Sequence, residues 1–429
     1  MRNINVGILG LGTVGSGVVS ILQQNAQDIR IRTQSDIIIK RVLVLNPQEP
    51  QKIAGNFALT DKADEILLDP EIDIVIEVMG GIEPARSHIL KALRNGKHVI
   101  TANKDLLALH GQELLEIAKA EGRDLYFEAS VAGGIPIIAA LRQSLAANRI
   151  TKIIGIINGT TNYILTAMAD QGRDYHEVLA EAQKLGYAEA DPTSDVEGLD
   201  AARKLAIMAS IAFNSRVKLS DVYVEGISRI TRADLQYAAE LGCTIKLLAV
   251  GKHLDEGIEI RVHPAILPKA HPLASVNGVF NAIYVVGNAV GETMFYGRGA
   301  GSLPTGSAVV ADLIQVIRNI ASQATSTMNC SCYQQLPIKK SSEFVTAFYI
   351  RLLVKDEPKV LANLALLFAE ANISFASIIQ KPRENKEAEL VLLTHPCREG
   401  QLQEALNSVR AYNKVLTIHN VIRFETDAQ

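Results

Sequence analysis

Apolar residues along this chain arrive first in short β-branched runs, each followed by a stretch with helical spacing. INVGIL (4–9) reads as a buried strand, and a helix follows it to about Ala26. KRVLVLN (40–46), DIVIEVMGG (73–81), KHVITANK (97–104) and DLYFEASV (124–131) repeat the strand pattern. Between them PARSHILKALRNG starts with Pro84 near its first turn and stops at Gly96, residues suited to the two ends of a helix. The alternation predicts an α/β fold, with a Rossmann-type doubly wound parallel sheet over residues 1–130. Ligands of such sheets sit at the carboxyl ends of the strands, which puts Gly80, Gly81 and TANKD (101–105) at the mouth.

Further on, EASVAGGIPI (128–137) leads into a helix and then the strand TKIIGIINGTTNYIL. NGTTN (158–162) is a run of small hydrogen-bonding residues at that strand's end, with a threonine expected to cap the next helix. The helix around Asp200 breaks the usual pattern. At about 100° per residue, Asp200 and Lys204 stand one turn apart, and Ile207, Met208 and Ile211 fall within roughly 80° on the same face. A surface acid–base pair would have polar neighbours there, so charge at the head of an apolar stripe marks a candidate site. Arg203, about 60° to the side, reads as structural.

GRGAGSLPTGSAVVADLIQVI (297–317) is glycine-rich and then helical, and the helix over 304–320 is expected to return to the first domain. Residues 131–318 therefore read as a separate α+β domain, and the polar stretch 319–342 as a linker. From Phe344 the order is strand, helix, strand, strand, helix, strand. That predicts a ferredoxin-like βαββαβ unit over 343–426, with an edge or face suited to pairing.

Composition narrows the function classes. Lys and Arg number 43 against 46 acids, and no basic tail is present, which argues against a nucleic-acid partner. No apolar run reaches the roughly 18 residues of a membrane span, and the start lacks a signal peptide's long apolar run and cleavage site. Cys243, Cys330, Cys332 and Cys397 have no zinc spacing; Cys330 and Cys332 could pair, but reduced thiols in a cytoplasm are expected. His253, His263 and His271 match no metal-ligand spacing and are expected in loops.

Gly10, Gly12 and Gly15 form G-x-G-x-x-G between the first strand and its helix. The first permits the turn, the second a close approach of backbone to a pyrophosphate, and the third close helix–strand packing. The second strand ends at Leu45 and Asn46, neither the acid that reads an NAD ribose nor the arginine that holds an NADP phosphate, so cofactor choice stays open here.

With these segments together, the chain resembles homoserine dehydrogenases that carry a C-terminal ACT domain. The likeness rests on the glycine triplet, TANK (101–104), EASVAGGIP (128–136), NGTTNY (158–163), GYAEADPTSDVEGLDAARK (186–204) and GRGAG (297–301). It implies reversible NAD(P)H-dependent reduction of L-aspartate 4-semialdehyde to L-homoserine, in threonine, methionine and isoleucine synthesis. It implies Lys204 as general acid/base, Lys104 beside cofactor and substrate, and Glu189 and Asp200 holding homoserine. Gly10, Gly12, Thr13, Val14, Gly15, Lys104, Gly186 and Gly301 are the implied cofactor contacts, with NADP favoured and NAD possible. A monovalent cation, sodium, is implied at Glu128 and the main-chain oxygens of Val131, Gly133 and Ile135. A substrate-binding, catalytic and dimerisation role for the α+β domain over 131–318, a homodimer or homotetramer, and a threonine effector complete the expectation.

Two positions depart from the family pattern. Leu45 stands where an arginine is common, and Lys359 in DEPKVLA replaces the glycine of D-x-P-G-V-L-A. Two rival readings are an oxidoreductase for another amino-acid aldehyde and a catalytically silent amino-acid sensor. Turnover of aspartate semialdehyde against other aldehydes separates the first, and threonine binding paired with an activity assay the second.

Overall fold

The computed structural model describes residues 2–49, 53, 55–324 and 332–425, and groups the chain into two units. The first gathers Met1–Ile153, Arg203–Ser220 and Phe280–Leu336; the second gathers Ile154–Ala202, Asp221–Val279 and Pro337–Gln429.

In the first unit, β1 (Arg2–Leu9) is central because Ile4, Val6, Ile8 and Leu9 have no exposed surface and pack on both faces. Around it lie β2 (Ser35–Leu43), β3 (Ala58–Thr60), β4 (Ile74–Glu77), β5 (His98–Thr101) and β6 (Leu125–Tyr126), in the order β3-β2-β1-β4-β5-β6. Every pair is parallel, and the order reverses between β1 and β4, the doubly wound arrangement expected from the alternation. All five expected strands differ in their bounds: β1 begins two residues earlier at Arg2, β4 covers only Ile74–Glu77, and β5 stops at Thr101 because Lys104 already opens a helix. β2 begins at Ser35, paired with Arg2, and stops at Leu43, so Leu45 and Asn46 lie beyond it. β6 ends at Tyr126 because Phe127 leaves the extended region and Glu128–Ser130 form a 3₁₀ turn.

The helix Ser302–Ala321 packs against the helix Thr13–Gln24 at two glycines. A Cβ on Gly17 would lie 2.1 Å from the Ser302 carbonyl oxygen, and one on Gly306 2.8 Å from the Gly17 carbonyl carbon. Val309, Leu313, Val316 and Ile317 bury its inner face.

The second unit contains the antiparallel pair Cys243–Leu254 and Gly257–Pro268, followed by the βαββαβ segment. Its core joins Phe348, Ile350 and Leu352 of one strand to Leu364, Phe368, Leu402 and Leu406 of two helices. The last strand, Val415–Phe424, pairs antiparallel with Val345–Lys355 and also parallel with Gly257–Pro268, through Ala265–Arg423 and Ile266–Phe424. One edge of the C-terminal sheet is thus already occupied by this chain.

Buried charge reinforces that join. Arg351 reaches Asp234 and Glu389, both at 2.7 Å, while fully buried Arg261 pairs with Glu259 and Glu425. The histidines expected in loops are elsewhere: His253 and His263 sit in paired strands, and His271 caps a 3₁₀ turn. His263 accepts from Arg261 Nε at 3.0 Å through Nε2, which fixes the proton on Nδ1, 2.8 Å from the Pro264 carbonyl. Burial, and then the Arg423 and Arg261 charges, hold it well below the usual histidine range.

Candidate active site

The glycine triplet divides its work. Gly10 has φ +103°, and a Cβ there would meet the Val78 carbonyl oxygen at 3.0 Å. A Cβ on Gly15 would fall 2.2 Å from the Gly10 carbonyl, so helix–turn packing demands a glycine. Gly12 is different: its φ is −72° and nothing lies within 4 Å of a Cβ. Neither a positive φ nor packing requires glycine there, and the open space at the amides that begin the helix Thr13–Gln24 suits an anion. The residues fit a dinucleotide. The adjoining cleft, about 800 Å³, is lined by Gly10, Gly12, Leu45, Asn46, Glu49 and Asp61 among others.

At the carboxyl ends of β4 and β5 a buried acid organises the mouth. Glu77 accepts from Thr101 Oγ1 at 2.6 Å and from the Met79 amide at 2.8 Å; burial raises its pKa. Thr101 accepts from the Asn103 amide at 3.0 Å, and Asn103 caps the helix Lys104–Ala120 and donates to the Gly81 carbonyl at 2.6 Å. Lys104 is therefore set at a helix's first position by a chain of buried hydrogen bonds. Glu77 escaped sequence reasoning, although an acid ending an apolar strand was a visible signal.

Beside Lys104, Asp105 accepts from Arg203 Nε at 2.9 Å. This ties the helix Lys104–Ala120 to the helix Leu199–Ala212 at the residue before Lys204, in keeping with a structural Arg203. Below half-buried Lys204, Ile207, Met208 and Ile211 are all at least nine-tenths buried, the stripe that the periodicity predicts. A cleft of about 360 Å³ between the same helices, lined by Leu107, Gly111, Leu115, Ile207 and Ile211, holds none of the candidate residues.

Glu128 is 3% exposed, and its carboxylate accepts from the Ile138 and Ala139 amides at 2.8 and 2.6 Å. Its own amide donates to buried Asp312 at 2.8 Å. Burial raises the pKa of both acids, and the Glu128 charge pushes Asp312 further up. Val131, Gly133 and Ile135 follow on a buried segment that passes through left-handed Ala132 (φ +54°) and Gly133 (φ +52°). Gly301, with φ +123°, caps the helix Ser302–Ala321.

In the second unit Asn158, not a threonine, caps the helix Gly159–Gln171, accepting from Thr161 N at 2.9 Å. Its Nδ2 donates to Asp195 at 2.7 Å and to Asp200 at 2.9 Å, and Thr160 donates to Asp195 at 3.1 Å. Asp200 is 5% exposed. Nothing in the local spacing singles out Asp195; tertiary structure brings it into this cluster. Glu189 instead stands on an exposed loop, after Gly186 (φ +74°) ends the preceding helix.

Lys359 adopts φ +74°, the left-handed conformation of the glycine it replaces, at a strain of roughly 1 kcal/mol. Among the described residues no group of three or more His, Cys, Asp and Glu could hold a metal ion, and no helix is long and apolar enough to cross a membrane. Cys243 and Cys397 are buried free thiols, Cys332 Sγ donates to the Ser210 carbonyl at 3.7 Å, and Cys330 lies outside the described residues.

Residues 10–128 match the model for the NAD binding domain of homoserine dehydrogenase, 136–314 that for homoserine dehydrogenase, and 348–413 that for the ACT domain. The Bacillus subtilis homoserine dehydrogenase is 45% identical, over 99% of each chain. A crystal structure of a homoserine dehydrogenase from Thiobacillus denitrificans superposes with a TM-score of 0.95 at 45% identity, covering 99% of each chain. A hyperthermophilic archaeal homoserine dehydrogenase in complex with NADPH covers 74% of this chain and 98% of its own, with a TM-score of 0.64 and 26% identity.

Proposed function

This chain belongs to the homoserine dehydrogenase family, NAD(P)-dependent oxidoreductases, and from that premise we propose how its residues divide the reaction. The carrying observation is buried Asp200, held by Asn158 at the head of an apolar helix with Lys204 one turn further on. Asp200 and Glu189 bind the polar groups of L-homoserine, and Lys204 takes the hydroxyl proton as its C4 hydrogen leaves with the bonding pair. A nicotinamide cofactor, when bound, accepts that hydride. In the reverse direction the Lys204 ammonium stabilises charge growing on the aldehyde oxygen and then protonates it. Lys104 neutralises charge beside cofactor and substrate. Gly10, Gly12, Thr13, Val14, Gly15, Gly186 and Gly301 give the cofactor its backbone contacts. Homoserine oxidation followed at the nicotinamide absorbance tests the reading; no turnover with either NAD or NADP would sink it.

The cofactor expectation put NADP first with NAD possible; the lining of the cleft supports the opposite preference. Among the described residues lining the cleft beyond β2, Leu45, Asn46, Glu49 and Asp61 include two acids and no Lys or Arg. Carboxylates repel a 2′-phosphate, so the reading favours NAD by about tenfold in kcat/KM, about 1.4 kcal/mol. Side-by-side assays with the two cofactors check this; a tenfold preference for NADP would reverse it.

Glu128 and the carbonyls of Val131, Gly133 and Ile135 are the proposed cation site. A buried carboxylate with its pKa raised by burial suits a hard monovalent ion, which neutralises it. At tenfold over its dissociation constant, sodium then adds about 1.4 kcal/mol of stability. Thermal midpoints in NaCl and in choline chloride at equal ionic strength measure this, and Glu128→Gln should remove the difference.

The reading also includes a cytoplasmic location, a role in threonine, methionine and isoleucine synthesis, and a homodimer or homotetramer. Exposed Met294 and Tyr296 on the outer strand Gly291–Arg298 support pairing of copies. The pocket lined by Asp356, Glu357, Lys359 and Gln380, about 500 Å³, is the proposed seat of a threonine effector.

A further inference from the structure

Lys246 lies in the strand Cys243–Leu254 and is 1% exposed. Its ammonium donates to three neutral oxygens: Asn162 Oδ1 at 3.1 Å, the Val276 carbonyl at 2.7 Å and Asn277 Oδ1 at 2.9 Å. A cation is an expensive way to fill such a space; burial pulls its pKa down to about 8. A lysine retained there needs a reason other than packing.

The three acceptors supply one. Asn162 lies in the first turn of the helix Gly159–Gln171, and its amide also donates to the Val276 carbonyl at 3.1 Å. Lys246 therefore staples the 276–279 segment to that first turn. The two must run very close, since a Cβ on Gly159 would lie 2.9 Å from the Val279 carbonyl oxygen. The residue that caps the same turn is Asn158, whose amide holds Asp195 and Asp200. Displacing the turn moves the amide, and the amide sets both carboxylates.

We propose that Lys246 is a positioning residue for homoserine binding, acting through Asn162 and the first turn of the helix Gly159–Gln171 on the Asn158–Asp195–Asp200 cluster. This rests on the functional reading above, and wild-type homoserine oxidation tests that reading separately. In the full-length enzyme, Lys246→Met should raise the homoserine KM at least tenfold and leave the cofactor KM within twofold. Lys246→Gln, which keeps two uncharged N–H donors, should fall between wild type and Lys246→Met. Because both residues act on the same carboxylates, Lys246→Met combined with Asn158→Ala should be no more than about twofold worse than Asn158→Ala alone.

An unchanged homoserine KM in Lys246→Met overturns the proposal. So does a cofactor KM that rises in parallel, or losses that multiply in the double variant. If both Lys246 variants fail to fold, the lysine is a folding element and the positioning role falls.

Discussion

Lys204→Ala is expected to lower kcat for homoserine oxidation by at least about a thousandfold while cofactor affinity stays within twofold. Proton transfer by a positioned side chain contributes roughly 10²–10⁴-fold, and a preorganised charge at the reacting oxygen about 10²–10³-fold more. Lys204 supplies both in the proposed mechanism. Its neighbours leave it little freedom, with Arg203 fixed on Asp105 and Leu205, Ile207 and Met208 buried. The helix should survive the change, because alanine is a strong helix former. Steady-state kcat and a fluorescence titration with reduced cofactor measure the two quantities. Near-wild-type kcat would remove Lys204 from the chemistry; a parallel loss of cofactor affinity would reassign it to binding.

The second large effect is on stability. Asp234→Ala should destabilise the protein by about 3–5 kcal/mol, as breaking a buried ion pair on one side does. Asp234 has no exposed surface and accepts from Thr231, Asn420, Tyr349 and Arg351. Its loss leaves a buried guanidinium with Glu389 and Thr231 as remaining partners. Denaturant unfolding measures the change, and kcat at low temperature should stay near wild type because Asp234 is outside the candidate site. A loss below 1 kcal/mol would show that the network adds little.

The same network sets an acid limit. Its guanidiniums and the Tyr237 hydroxyl outweigh the desolvation of Glu389 and draw its pKa from 4.5 to about 2. A depressed carboxylate stabilises the fold above its unfolded pKa and loses that contribution as pH falls through 4.5 towards 2. The amount is about 3 kcal/mol. Unfolding midpoints taken across that window should fall with pH, and Glu389→Gln should flatten the decline.

Local pattern carried much of this molecule. The parallel sheet followed from alternating strands and helices, the βαββαβ unit from its periodicity, and the Asp200–Lys204 face from 3.6-residue spacing. Each depends on contacts within a few residues, where spacing and burial go together. Positions that failed were set by distant partners. β2 starts at Ser35 because Arg2 lies opposite, and β6 stops because Glu128 reaches the amides of Ile138 and Ala139.

By itself the sequence determined the glycine turn, the identity of the lysines and acids, and the family likeness they spell out. Only the tertiary structure decided which of those acids meet. Asp195 and Asp200 share one amide from Asn158, some forty residues earlier, and Glu189 stays on the surface. It also decided that Gly12 is explained by nothing in the protein's own packing, and that Lys246, inconspicuous in a strand, carries a buried charge. Hydrogen bonds between remote segments have no local period, so no spacing along the chain could have announced them.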